Sequence, residues 1–236
     1  MSRTGLAALV IANLFVAFQA LRHEWGYYET LLIYWSEVVI LGGYNVVRMM
    51  VVGVFGAAPL GSWAARWVDL GSGLNRFFFT VIGVGFFAFK FGAFALAIGL
   101  FVLLLPAMLR VDGGGGTSIP RALSTAGPGL LLAIGALCLS HGVSFIRNFL
   151  AGREYDRLNI ASLVFWPYAR MSLVGVVLLA GIAAASLVPA FAPETAFAVT
   201  MVVFKLLADV ASHTLEHRGL IGDAPRPRMT PAVGTE

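Results

Sequence analysis

The sequence predicts an all-α, polytopic helical membrane bundle of about six transmembrane helices plus a short interfacial helix, on three observations. Hydrophobic residues make up 59% of the 236 residues and charged residues only 12%, about half the roughly 25% charged share of soluble domains. The apolar residues gather into runs long enough to cross a bilayer, at ~20 residues per span. The basic residues fall mainly in the connections between those runs and sort to one side of them. A water-soluble globule is thereby excluded. A single transmembrane domain over residues 1–218 uses most of the chain, and 219–236, with Pro225, Pro227 and Pro231, is expected to be a disordered polar tail.

The elements follow in order. Gly5–Leu21 is a first span behind Arg3, and Ala17-Phe18-Gln19-Ala20 has the wrong spacing for a signal-peptide cleavage site. Thr30–Gly53 is a second span, opened by the interfacial aromatics Trp25, Tyr27 and Tyr28. Pro59–Arg76 is more polar, with Trp63 and Trp67 four residues apart, as expected of a helix lying in the membrane interface. Phe77–Leu109 is apolar apart from Lys90 and longer than one crossing requires; one long tilted helix is expected over a helix broken at Lys90-Phe91-Gly92. The four glycines from Gly113 lie in a polar connection and read as a flexible turn, since no phosphate-loop Lys-Ser/Thr follows them. Further spans are expected at Pro128–Leu150, Leu163–Val188 and Thr195–Leu215. Cys138 has no second cysteine to pair with and reads as a small packing residue.

Six spans place both termini on one side. With that side cytoplasmic, the inside segments carry Arg3, Arg48, Arg66, Arg76, Arg147, Arg153, Arg157, Arg170, Arg218, Arg226 and Arg228, against Arg22, Arg110 and Arg121 outside. This positive-inside bias predicts a multi-pass protein of the cell (inner) membrane with cytoplasmic termini. The net charge of +4 is spread over connections rather than clustered on one face, which speaks against a nucleic-acid partner. Membrane lipids, and other membrane subunits or a second copy, are the partners expected.

Ionisable groups at membrane depth are costly, so they turn inward and usually have a partner or a task. Those expected here are Glu37, Lys90, His141, Lys205, Asp209 and His213, with His217 just beyond; Asn45, Ser144, Asn148 and Arg170 complete the predicted buried polar cluster. Lys205, Asp209, His213 and His217 recur at four-residue intervals along one helical face. His141, Ser144 and Asn148 share another. Counting rise per residue from the expected span ends puts His141 and Asp209 at one depth, about 20 Å in, and Glu37 only about 10 Å in. The expectation is therefore two layers: His141, Ser144, Asn148, Lys205, Asp209 and His213 in one, and Glu37 with Asn45 in the other.

Each group has two readings. His141, Asp209 and His213 could ligate zinc or another divalent ion, whereas Lys205 with Asp209 could be an intrahelical ion pair and His213 with His217 a wetted helix end. Ser140, Ser144 and Asn148 could be interhelical hydrogen-bond glue. Glu37 could be a protonated acid or could pair with Lys90 or an arginine.

Several segments together resemble an uncharacterised family of bacterial and archaeal integral membrane proteins, domain of unknown function 6498. They are Tyr34-Trp35-Ser36-Glu37 with Asn45, Phe86-Phe87 before Lys90-Phe91-Gly92, Ser140-His141-Gly142-Val143-Ser144-Phe145 with Asn148, Glu154-Tyr155, Pro167-Tyr168 with Arg170, and Lys205, Asp209, His213 and Glu216. The resemblance covers about Leu6 to His217. It implies a polytopic membrane fold rich in intramembrane histidines and attaches no activity to it. Where the family pattern commonly has histidine, this chain has Lys90, Ile98 and Gly175. If those histidines serve a metal, three ligands are replaced here, and a lysine ammonium could stand electrostatically where a cation would.

Three functions compete at this point. The first is a non-catalytic membrane subunit or accessory protein, favoured by the apolar replacements and by Ala88, Gly92 and Ala93, which permit close helix approach. The second is an intramembrane metal-dependent hydrolase acting on a lipid or another apolar substrate, with Ser144, Lys205 and Asp209 as catalytic candidates and His141, Asp209 and His213 as metal ligands. The third is a proton or ion transporter relaying through Glu37, Lys90 and Asp209.

Overall fold

A computed structural model describes residues 3–23, 25, 27–57, 73–109, 119–165, 167–168, 201 and 203–205. Every regular element among them is helical: α1 (Arg3–Arg22), α2 (Tyr27–Phe55), α3 (Gly73–Leu109), α4 (Ile119–Ser144), a π-helical turn (Phe145–Leu150) and a 3-10 turn (Glu154–Asp156), followed by helical backbone at 160–165. Three helices are long and apolar enough to cross a membrane, over Tyr28–Phe55, Gly73–Leu104 and Gly127–Leu150, and Val10–Arg22 is a shorter apolar helix. This is the architecture of a helical membrane bundle. Most of the fifth and sixth expected spans, the interfacial helix up to residue 72, the glycine run and the tail lie outside the described residues.

The third apolar stretch is one continuous helix, as expected. At 37 residues it is about 55 Å long, far more than a perpendicular crossing needs. The fourth starts where expected, at a kink behind a short helix: Gly127 takes φ 52° and ψ −154° inside α4. Proline disfavours helical backbone at the residue before it, and only glycine takes this left-handed conformation readily. Gly127-Pro128 therefore ends one short helix and starts the apolar span where the sequence placed it.

Central to the bundle is α2, which packs most extensively on α3 and also on α4, while α1 packs on α4. The α2–α3 pair is antiparallel. Trp35 donates from Nε1 to the Ala95 carbonyl at 2.8 Å, Phe91 lies on Gly42, and Thr80 lies on Gly53. The α2–α4 pair is parallel, because Glu37, Tyr44 and Arg48 meet His141, Phe145 and Phe149 in the same order. Two apolar clusters result. One joins α1, α2 and α4 through Val16, Ile33, Leu130, Leu137 and Met201; the other joins α2, α3 and the π turn through Met49, Val52, Phe87, Phe91 and Phe149.

At the end of the bundle where α2 closes and α3 begins, three polar devices close the structure. Arg76, expected in the interfacial helix, lies in the first turns of α3 and donates to the carbonyls of Gly53 (3.2 Å) and Gly56 (2.7 Å). These belong to the end of α2, where carbonyls lack intrahelical donors and a cation is favoured. Arg76→Gln is expected to cost about 1–2 kcal/mol and to speed amide exchange over residues 52–57. Unchanged exchange there would remove this role from Arg76. Arg153 turns the chain at φ 51° and pairs with Asp156 at 3.0 Å, whose carboxylate raises the guanidinium above its ordinary pKa. Asn159 then caps the next helix: its Oδ1 accepts from Ser162 N–H at 2.8 Å, and its own N–H donates to Ser162 Oγ at 3.4 Å. That reciprocal cap starts the helix at residue 160 rather than at the expected Leu163.

Cys138 is exposed rather than packed. Its backbone is what α2 uses: Tyr44 donates from its hydroxyl to the Cys138 carbonyl at 3.1 Å.

Candidate functional site

The segment Tyr34-Trp35-Ser36-Glu37 gives each side chain a separate task. Trp35 ties α2 to α3 through Ala95, and Ser36 donates to the Leu32 carbonyl one turn back at 2.8 Å. Tyr34 and Glu37, three residues apart and so on one face, turn into the bundle and are 6% and 5% exposed. There Lys205 approaches Glu37 Oε1 to 3.1 Å and donates to Asn13 Oδ1 at 2.6 Å. His141 Nε2 stands 3.6 Å from the same Glu37 oxygen, just beyond hydrogen-bond reach. Asn13, Val16, Ile33, Tyr34, Glu37, Leu137 and Lys205 line a cavity of about 10 Å³, room for one water at most.

Glu37 is therefore the hub: α4 (His141) and the helical segment 203–205 (Lys205) meet it, and Lys205 ties in α1 through Asn13. This corrects the expected separation into two layers. Glu37 and His141 share one level, because helix starts are a poor common plane. From the observed starts Glu37 lies about 15 Å below Tyr27 and His141 about 21 Å below Gly127. The remaining difference of about one turn is stagger between α2 and the kinked α4. Lys205 thus meets an acid of another helix, Glu37; Asp209, the intrahelical partner considered for it, lies outside the described residues.

Ser144 and Asn148 do not join this hub. Asn148 is buried and donates to Ser144 Oγ at 3.1 Å. The wider π turn over Phe145–Leu150 shifts Asn148 off the straight-helix face it was expected to share with His141. Asn45 is buried and bridges elsewhere, from Nδ2 to the Leu163 carbonyl at 2.8 Å. Lys90 leaves the predicted buried cluster altogether. It is exposed, with Nζ 5.1 Å from the Phe86 ring centre, and Glu37, the partner considered for it, is engaged by Lys205. Arg170, Asp209, His213 and His217 lie outside the described residues. Of the proposed ligand set only His141 is described, and no group of three or more His, Cys, Asp or Glu side chains able to hold a metal occurs among the described residues.

Sequence reasoning missed Asn13, because it counted only ionisable groups in the spans. An amide inside an apolar run was the available signal. Gln19, one helix face along, is the same case, buried and directed from Nε2 to the Gly129 carbonyl at 3.5 Å.

The comparison with protein families returns one relation that spans nearly the whole chain: the model of a family of unknown function, DUF6498, matches residues 1–221. The chain belongs to the DUF6498 family. The match contains all of the described hub, so Asn13, Glu37, His141 and Lys205 are parts of a DUF6498 domain. No curated protein and no solved structure matches this DUF6498 protein.

Proposed function

We propose that this DUF6498 protein is a non-catalytic membrane subunit or accessory protein, multi-pass in the inner membrane with both termini cytoplasmic, whose buried polar hub sets the helix arrangement. The observation that carries this reading is the closure of the hub. Glu37 is in contact with Lys205 and His141, Lys205 also holds Asn13, and the adjoining cavity of about 10 Å³ is far too small for an acyl chain. A buried ion pair that also holds an amide of a third helix is a packing device. The orientation is supported by the positive-inside distribution. Purification at native levels in mild detergent, followed by native mass spectrometry, is expected to yield a complex of fixed stoichiometry with another membrane protein. A homogeneous monomer would overturn the reading.

The same hub favours a second reading, a proton or ion relay, because Glu37, His141 and Lys205 are contiguous ionisable groups inside a span bundle. Vesicles reconstituted with the purified chain and loaded with a pH-sensitive dye separate the two. Proton flux in the wild type that is lost in Glu37→Gln supports the relay; no flux in either supports the subunit.

A further inference from the structure

The cavity beside the hub is polar on one wall and apolar on the other. Asn13 of α1, Tyr34 and Glu37 of α2 and Lys205 make the polar wall, and Val16, Ile33 and Leu137 make the rest. Each of the four polar residues is at most 6% exposed, so bulk solvent does not serve them. The space of about 10 Å³ is at the lower bound for one water, which also needs two to four polar partners to stay in place. A cavity lined by apolar groups alone would stay dry. This one brings an acid, an ammonium, an amide and a phenol to the same point.

The kind of occupant follows from charge. Glu37 and Lys205 stand 3.1 Å apart and offset one another, so the site has no net charge to draw an ion. A cation would have to compete with the ammonium for Glu37, and an anion with the carboxylate for Lys205. Either would strand a charge in a low-dielectric interior. The occupant is therefore neutral. It must also both donate and accept, because a carboxylate only accepts, an ammonium only donates, and the amide and the hydroxyl do both. Size and chemistry together select water.

We infer that the cavity holds a single ordered water, bonded to Glu37 and Lys205 and to Asn13 or Tyr34 as a third partner. Buried ion pairs hold when further hydrogen bonds complete them. Asn13 supplies one such bond to Lys205 at 2.6 Å, and the water supplies others to both charges. The inference goes beyond the two functional readings and rests on neither: the water is fixed solvent in a subunit and a link in a relay.

The test is a crystal structure of the full chain grown from a lipid mesophase, at about 2 Å resolution, where ordered water is visible. The expected result is one density peak inside the cavity, within about 3.2 Å of polar atoms of at least two of the four residues. A cavity without density overturns the inference, and so does a peak held below about 2.4 Å, the reach of a metal ion. Val16→Ile then reads the consequence, since one more methylene on the cavity wall competes with the water for its space. The peak should be lost and the unfolding equilibrium constant should rise about tenfold relative to Val39→Ile, the effect of leaving one buried polar contact unmade; Val39 is 44% exposed and serves as the matched control. Stability equal to or above that of Val39→Ile would mean that the methylene fills a dry void, which overturns the inference. A second measurement needs no variant. In proton-detected solid-state NMR of the chain in lipid bilayers, labelled with nitrogen-15 asparagine, magnetisation should pass from water to the Asn13 side-chain amide, and its failure to do so overturns the inference whichever functional reading stands.

Discussion

Lys205→Met is expected to destabilise the protein by about 3–5 kcal/mol, the usual loss when one member of a buried ion pair is removed. The substitution leaves Glu37, 5% exposed, without the ammonium that stands 3.1 Å away, and Asn13 loses its 2.6 Å bond. Glu37→Leu should cost a comparable amount by stranding Lys205 as a cation. The double substitution Glu37→Leu/Lys205→Met is expected to recover most of that loss, because two apolar side chains of similar volume then replace the pair and no charge remains to be solvated. A double-mutant cycle on unfolding free energies, measured by steric trapping in bicelles, should therefore give strong coupling. Single losses below about 0.5 kcal/mol that simply add would show the pair to be a bystander in the fold.

His141 sharpens the same experiment. It lies 3.6 Å from Glu37 Oε1, too far to replace Lys205 as a hydrogen-bond donor without movement. If Lys205→Met is milder than expected, the imidazole has closed on the carboxylate, and Lys205→Met/His141→Leu should then restore the full loss. The hub is thus a set of competing donors around one acceptor, with the lysine in the nearest place.

How much of this was legible in the sequence depends on which physical signal each feature leaves. Helix positions were readable because apolar runs end at polar residues, and the start of the fourth span at Pro128 was read in that way, whereas the short helix before Gly127 was not. Glu37, His141 and Lys205 stood out because ionisable groups are rare in apolar runs. Their convergence was not legible: depth was counted from span ends, and an error of three residues at Tyr27 is already about 4.5 Å. Lys90 was assigned inward by the same rule that correctly placed Glu37. On a helix that is apolar all round, as α3 is, no polar face marks which way any residue points. The π turn was equally silent, since a change from i−4 to i−5 bonding depends on the packing around Phe145 and Phe149 rather than on any residue type. The family match covers the hub but brings no activity to it, so the chemical argument rests on these contacts.

The same orientational silence makes the glycines of α2 a demanding test, because adjacent positions should differ sharply. A Cβ on Gly42 would run into the ring of Phe91, and that ring has little freedom to yield: it stacks on Phe87 at 4.9 Å and meets Tyr168 edge-on at 6.0 Å. Gly42→Val should therefore cost about 2–3 kcal/mol, at the upper end of overpacking losses, and should push α2 away from α3. A Cβ on Gly43 meets nothing within 4 Å, so Gly43→Val should stay within about 0.5 kcal/mol of wild type. Both substitutions add the same apolar volume to the same helix, so propensity and lipid partitioning cancel in the comparison. Paired unfolding measurements that give equal losses at the two positions would mean that α2 is rotated relative to α3, and the antiparallel register linking Trp35 to Ala95 and Gly42 to Phe91 would fall with it.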